Sequence, residues 1–276
     1  MNTLFLRLEG PLQAWGLRAR WGERDSADAP TKSGVVGLLG CAMGLPRTSP
    51  ELQQISDQLR LGVRVDLPGT RLRDYHTTGG GRYGDTTHDG GSRYHNDPYV
   101  GGVLSGEVDA KGRIKVKINA TTKEPETDVS ERHYLADASF LAALQGEPAL
   151  IARLAHALQN PVWPYFLGRK ACVPSTPIFA GEGEFAQLRD ALEHAPFTPR
   201  VTQAWAARGE RQRRPTALRL LLEAGPGEGN WQYDNLAVAA ERVFRPRYVR
   251  EEWWQLPPSD EQATPPADDT INTLEG

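Results

Sequence analysis

Apolar and polar positions along the chain fall into short, separate patterns. Thr3 to Leu8 is almost continuously apolar and ends at Gly10-Pro11, which predicts a buried strand. From Pro30 to Leu45, the apolar residues Leu38, Leu39, Met43 and Leu45 share the segment with glycines at 34, 37, 40 and 44. A spacing of three or four keeps those glycines on one face of a helix. Each costs roughly 1 kcal/mol against alanine inside a helix, so something is expected to approach that backbone closely. Ser49-Pro50-Glu51 opens a second helix reaching about Leu59, with serine as cap and proline in the first turn. Leu61 to Asp66 alternates as a strand, Pro68-Gly69 turns the chain, and Thr70 to His76 continues extended.

Further along, Arg113 to Ile118 alternates with one basic face, and His133 to Leu144 contains a central strand. Glu147-Pro148 begins a helix with Leu150, Ile151, Leu154 and Leu158 on one stripe, stopped at Asn160-Pro161. Pro164 to Cys172 reads as a loop with an aromatic pair beside two cations. Phe185 to Leu192 suggests a short helix, Ala217 to Leu222 a strand, and Glu223 to Asn235 a glycine-rich turn region. Phe244 to Trp254 forms a basic, aromatic closing segment. The order strand, helix, strand, strand-like segment, strand, helix, strand predicts an α+β domain of the ferredoxin-like type.

The 276 residues suit one large domain or two small ones, and 39% hydrophobic content permits a core. Mean hydropathy is -0.52, and no apolar run approaches the ~20 residues needed to cross a bilayer. The first residues lack the pattern of a signal peptide, so a cytoplasmic protein with no membrane partner is expected. Two cysteines, Cys41 and Cys172, form no metal-ligand pattern, and no metal or cofactor is expected. The net charge of -3 is unevenly distributed. Ser259 to Gly276 holds five acidic residues and no basic one, which leaves the remainder slightly basic and rich in arginine. That balance permits a nucleic-acid partner.

Candidate chemistry lies in three places. The start of the glycine-bearing helix carries Thr31, Lys32 and Ser33, which reads either as an ordinary cap on a core helix or as an anion site. From Thr77 to about Val103, glycines alternate with Arg82, Tyr83, Arg93, Tyr94, His95 and Tyr99 without helical period. This is either a solvated insertion or an arm whose rings and guanidinium groups meet RNA. His76, beside Asp74 and Tyr75, could serve as a general base at a 2′-hydroxyl or as a structural histidine. The spacings of His76, His88, His95 and His133 match no metal motif, and no Walker motif, GxSxG or dinucleotide loop is present.

Five blocks, in order, carry a resemblance. They are Leu6-Arg7-Leu8-Glu9-Gly10-Pro11-Leu12-Gln13-Ala14-Trp15-Gly16, Pro30 to Gly40, Leu72-Arg73-Asp74-Tyr75-His76-Thr77, Tyr134 to Phe140, and Pro164-Tyr165-Phe166-Leu167-Gly168-Arg169-Lys170. Together they resemble the CRISPR-associated Cas-five family of the RAMP superfamily, in its type I-E Cascade branch. The resemblance implies an RRM-like ferredoxin domain over residues 1–180 with a β-hairpin thumb inserted at about 77–133. Residues 181–257 would complete the body with strands and a helix, and 258–276 would be a disordered, acidic, Pro-rich tail. It further implies an RNA-binding subunit that caps the 5′ handle of the CRISPR RNA in antiviral defence. Its partners would be the large and backbone subunits of Cascade, with target DNA reached through the complex. Carried over residue by residue, the RNA contacts would be Trp15, Arg18, Arg20, Lys32, Ser33, His76, Arg82, Tyr83, Arg93, Tyr94, Tyr165, Arg169 and Lys170. Type I-C relatives cut repeat RNA with a histidine, tyrosine and lysine set. The alternative is therefore a metal-independent endoribonuclease using His76, Tyr75 and Lys32.

Overall fold

A computed structural model describes residues 1–17, 22–78, 104–108, 114–116, 120, 121, 126, 128–207, 214–241 and 243–257. In chain order the elements are β1 (Asn2–Glu9), β2 (Leu12–Gln13), β3 (Glu23–Arg24), α1 (Lys32–Met43), α2 (Pro50–Gln58), β4 (Arg60–Leu67), β5 (Thr70–Thr78), β6 (Leu104–Val108) and β7 (Ile114–Val116). The order continues with β8 (Asp128–Ala136), β9 (Ser139–Gly146), α3 (Pro148–Gln159), β10 (Phe179–Glu184), α4 (Leu188–His194), α5 (Pro199–Ala206), β11 (Ala217–Ala224), β12 (Asn230–Val238) and β13 (Val243–Gln255).

The main sheet runs β10-β1-β9-β4-β11-β13-β12, with every neighbouring pair antiparallel. Its first four strands, with α1 and α2 before β4 and α3 before β10, have the βαββαβ order of a ferredoxin-like domain. The expected α+β fold is the one observed. β11, β13 and β12 extend the sheet beyond β4.

Alternation along the central strands divides the core between two faces. Leu4, Leu6 and Leu8 of β1, with Leu61, Val63 and Val65 of β4, share a cluster with residues of α1, α2 and α3. Phe5, Leu141 and Ala143 pack with Leu188 and Leu192 of α4 on the opposite side. The polar side of β4 is buried as well. Arg64 is fully enclosed and donates to the carbonyls of Leu192 and Ala195, so it closes the C-terminal end of α4. Asp66 lies between Arg64 and Arg7 and pairs with both at 2.6 Å.

Several sequence expectations are corrected here. His133 to Leu144 is two strands: Asp137 takes a left-handed conformation (φ 57) and turns the chain from β8 into β9. Aspartate tolerates that region better than most residues. Glu223 to Asn235 holds the end of β11, a turn and the start of β12, whose alternation is broken by register shifts between Gln232 and Asn235 and between Leu236 and Val238. The segment between Gly10-Pro11 and α1, given no element from the sequence, contains β2 and β3, both seated on β8. The short helix expected from Phe185 begins at Leu188, and α5 was not anticipated.

Between β4 and β9 the chain leaves the main sheet. β5 pairs with β8 from Thr70↔Ala136 to Thr78↔Asp128. The insertion expected at about 77–133 therefore falls inside a ladder that already starts at Thr70. Most of 79–127, and the tail at 258–276, lie outside the described residues.

Candidate nucleic-acid interface

The family-like blocks converge at the root of the β5–β8 arm, and their side chains mostly hold one another. Gln13 is fully buried and donates to the carbonyls of Leu8 and Ala138 at 2.9 Å each, while accepting from the Trp15 indole at 3.1 Å. Trp15 is fully buried too, with Gly34 of α1 pressed against its ring: a methyl on Gly34 would lie 2.8 Å from Cε3. The expectation that Trp15 meets RNA directly is corrected, because the indole has no exposed face to stack. The close-approach expectation for α1 is met at Gly34 and at Gly40, where a methyl would sit 2.5 Å from Leu52. Gly37 differs, facing open space.

The N-terminus of α1 does not present a free anion site. Thr31 caps it by accepting from the Gly34 N–H. The Lys32 N–H donates to the Asp234 carboxylate at 2.7 Å, so an internal anion occupies the position a phosphate would take. The Lys32 side chain is 2% exposed, and its ammonium pairs with Glu223 at 2.8 Å. Arg247 completes the group, bonding Asp234 at 2.6 Å and lying 3.7 Å from Glu223. Burial lowers the Lys32 pKa from its ordinary value, opposed in part by Glu223. The expectation that Lys32 faces RNA is therefore corrected; Ser33, next to it, is half-buried.

The Pro164–Lys170 loop is fastened by its backbone. Ala14 N–H donates to Leu167 O at 3.0 Å. Gly168 has φ 89, and a methyl there would fall 1.7 Å from the Ala14 carbonyl oxygen, so the position admits glycine alone. Arg169 reaches across the arm's root. It donates to the carbonyl of His133 at 3.1 Å and that of Arg24 at 2.7 Å, and its guanidinium lies 4.6 Å from the Tyr134 ring centroid. Tyr165 is half-buried and donates to Leu158 O at 3.3 Å. Lys170 is exposed.

Along β5 the side chains alternate between two faces. Arg71, Arg73 and Tyr75 share one, with His133 and Glu131 across from them on β8. All three are exposed, Tyr75 at 61%. Arg73 lies 5.3 Å from the Tyr75 ring and 3.0 Å from Glu131. Leu72, Asp74 and His76 occupy the other face. Tyr75 and His76 thus point to opposite sides, and Lys32 is held in the interior beside Glu223. The arginines at 71 and 73 were passed over in the sequence reading, although their two-residue spacing with Tyr75 was the available signal. Arg18, Arg20, Arg82, Tyr83, Arg93 and Tyr94 lie outside the described residues.

Comparison with known proteins agrees with this arrangement. The family described as CRISPR-associated protein (Cas_Cas5) matches residues 3–250. The chain belongs to this family. Among its Cas-five relatives is the CRISPR system Cascade subunit CasD of Escherichia coli (strain K12), 32% identical over 203 residues, which cover 69% of this chain and 75% of that protein. A chain of a CRISPR RNA-guided surveillance complex superposes with a TM-score of 0.64 at 29% identity, covering 92% of this chain and 91% of that one. A Cas protein crystal structure superposes at 0.57 with 36% identity, covering 92% and 95% respectively. Among the described residues, no helix is long and apolar enough to cross a membrane, and no group of three or more metal-ligating side chains assembles.

Proposed function

We propose that this chain is the CRISPR RNA-binding subunit of a cytoplasmic type I-E-like Cascade surveillance complex, holding the 5′ handle and contacting the large and backbone subunits. Target DNA is met through the complex. The observation that carries this reading is the arm: a two-stranded ladder rooted in the Cas-five blocks, with Arg71, Arg73 and Tyr75 exposed on one face. Guanidinium groups suit phosphate oxygens, and a tyrosine ring beside them suits an unstacked base. Lys170 adds an exposed cation close in sequence to Arg169, which grips the arm's root.

The subunit holds RNA without cutting it. General acid–base cleavage needs its groups within hydrogen-bond reach of one reacting centre. Tyr75 and His76 project from opposite faces of β5, and the Lys32 ammonium is paired with Glu223, so the three do not converge. Nuclease footprinting of the reconstituted complex tests the binding reading: the 5′ handle should be protected, and digestion at the rate of free RNA would refute it. Incubating the chain alone with repeat RNA in EDTA tests the second statement, with no discrete product expected.

A further inference from the structure

The two edges of the main sheet are built differently. β10, at one end, carries Glu182 and Glu184 exposed and alternating with glycine, the kind of charge that deters another strand from pairing. β12, at the other end, carries Trp231 and Tyr233, each 58% exposed. Gln232 and Asp234 bond to Arg247, and Asp234 also bonds to the start of α1, on the helix-covered face. Trp231 and Tyr233 therefore project from the opposite face, joined by Tyr248 directly across on β13. Ring centroids are 5.6 Å apart for Trp231 and Tyr248 and 6.4 Å for Trp231 and Tyr233. α4 covers that face over β9, β4 and β11, inward of these rings.

Charge identifies the kind of partner. On the ring face of β13 the next cation is Arg250, held by two carboxylates, Glu252 and Glu228; Arg245 and Arg247 lie on the opposite face, against Asp57 and Asp234. A phosphate chain at the rings would compete with both carboxylates for Arg250. A neutral surface would meet aromatic groups with the charges already satisfied, the composition of a protein-interface centre.

We propose that β12 is a strand-addition site for another polypeptide: an extended, uncharged segment of a neighbouring protein subunit pairs with the outer edge at Asn230–Tyr233 and lays an apolar side chain over Trp231 and Tyr248. The proposal rests on the chain being one subunit of a larger assembly, and it is independent of how the arm meets RNA.

Amide hydrogen exchange, measured on the isolated full chain and on the complex co-expressed with its other subunits and a CRISPR RNA, is the direct test. Exchange at residues 230–233 should slow at least tenfold on assembly. The Trp231→Ala/Tyr233→Ala variant should be retained in the complex at least tenfold less well, while the melting temperature and RNA binding of the isolated chain stay unchanged. Equal exchange in the two states overturns the proposal, as does quenching of Trp231 fluorescence by CRISPR RNA alone, which would make the face a nucleic-acid site. Slowed exchange without a handle footprint supports the proposal and refutes the RNA reading; a footprint without slowed exchange does the reverse.

Discussion

Two cation-bearing regions of this protein use the same residue types for opposite ends. At the start of α1, Lys32 and Arg247 are buried among Glu223 and Asp234, and each positive group has a carboxylate within 2.8 Å. On the arm, Arg71 and Arg73 are exposed, Arg73 with only a surface partner in Glu131 at 3.0 Å, and Lys170 of the neighbouring loop is exposed as well. The first set holds a helix to the far end of the sheet; the second remains accessible to a phosphate chain. The difference shows that a basic residue beside a glycine-rich helix is not an RNA contact by type. Burial decides, since Arg73 has a carboxylate too, and the burial of Lys32 depends on residues nearly 200 positions away.

The largest effect is expected inside the buried cluster. Asp234→Ala leaves Arg247 without its closest carboxylate and the Lys32 N–H without an acceptor, so about 3–5 kcal/mol of stability should be lost. Urea denaturation checks this, and RNA affinity per folded molecule should not move. Gly168→Ala should come next, costing more than about 2 kcal/mol, because φ 89 disfavours a side chain and the Ala14 carbonyl occupies its space.

Arg169 sharpens the contrast from between the two regions. With its guanidinium bonded to backbone carbonyls, Arg169→Ala should lower handle affinity about tenfold through the arm's placement. The slope of log affinity against log salt should stay as in the wild type, which filter binding across a salt series would show. Arg73→Ala and Lys170→Ala should behave oppositely. Each should change stability by no more than about 0.5 kcal/mol and flatten the salt slope by about 0.7, the share of one single-strand phosphate contact. The smallest effect belongs to Arg153→Ala, which removes a surface pair with Glu51 (2.7 Å) and should leave stability within about 0.5 kcal/mol.

Much of the body was legible because local signals agreed. α2 and α3 combine Pro at the first turn with a stripe of buried residues, and α1 has a hydroxyl cap and a glycine end. α5 was missed although Thr198 and Pro199 announce it, because only Val201 and Trp205 are buried along its eight residues. β12 was hidden for a different reason. An edge strand with two register shifts loses its alternation, and its buried polar residues, Asp234 and Asn235, read as turn formers until Arg247 and Ser56 are seen against them. At the candidate site, the blocks were visible but their use was not. Nothing local to Gln13 and Trp15 signals burial, because their partners at Ala138 and Gly34 are supplied by other segments.

The arm meets the body at two left-handed corners, Gly69 (φ 72) and Asp137 (φ 57), facing each other across the Thr70↔Ala136 rung. Just beyond them Leu67 and Ser139 are already neighbours in the main sheet. The chain therefore exits and returns at one place, and the strand order of the body does not depend on the contour length between. Such an attachment works as a socket: an arm of different length or surface can be grafted at Thr70 and Ala136 while the ferredoxin-like scaffold keeps its register. The surface the arm presents and the stability of the scaffold can then be altered separately, by engineering or by descent.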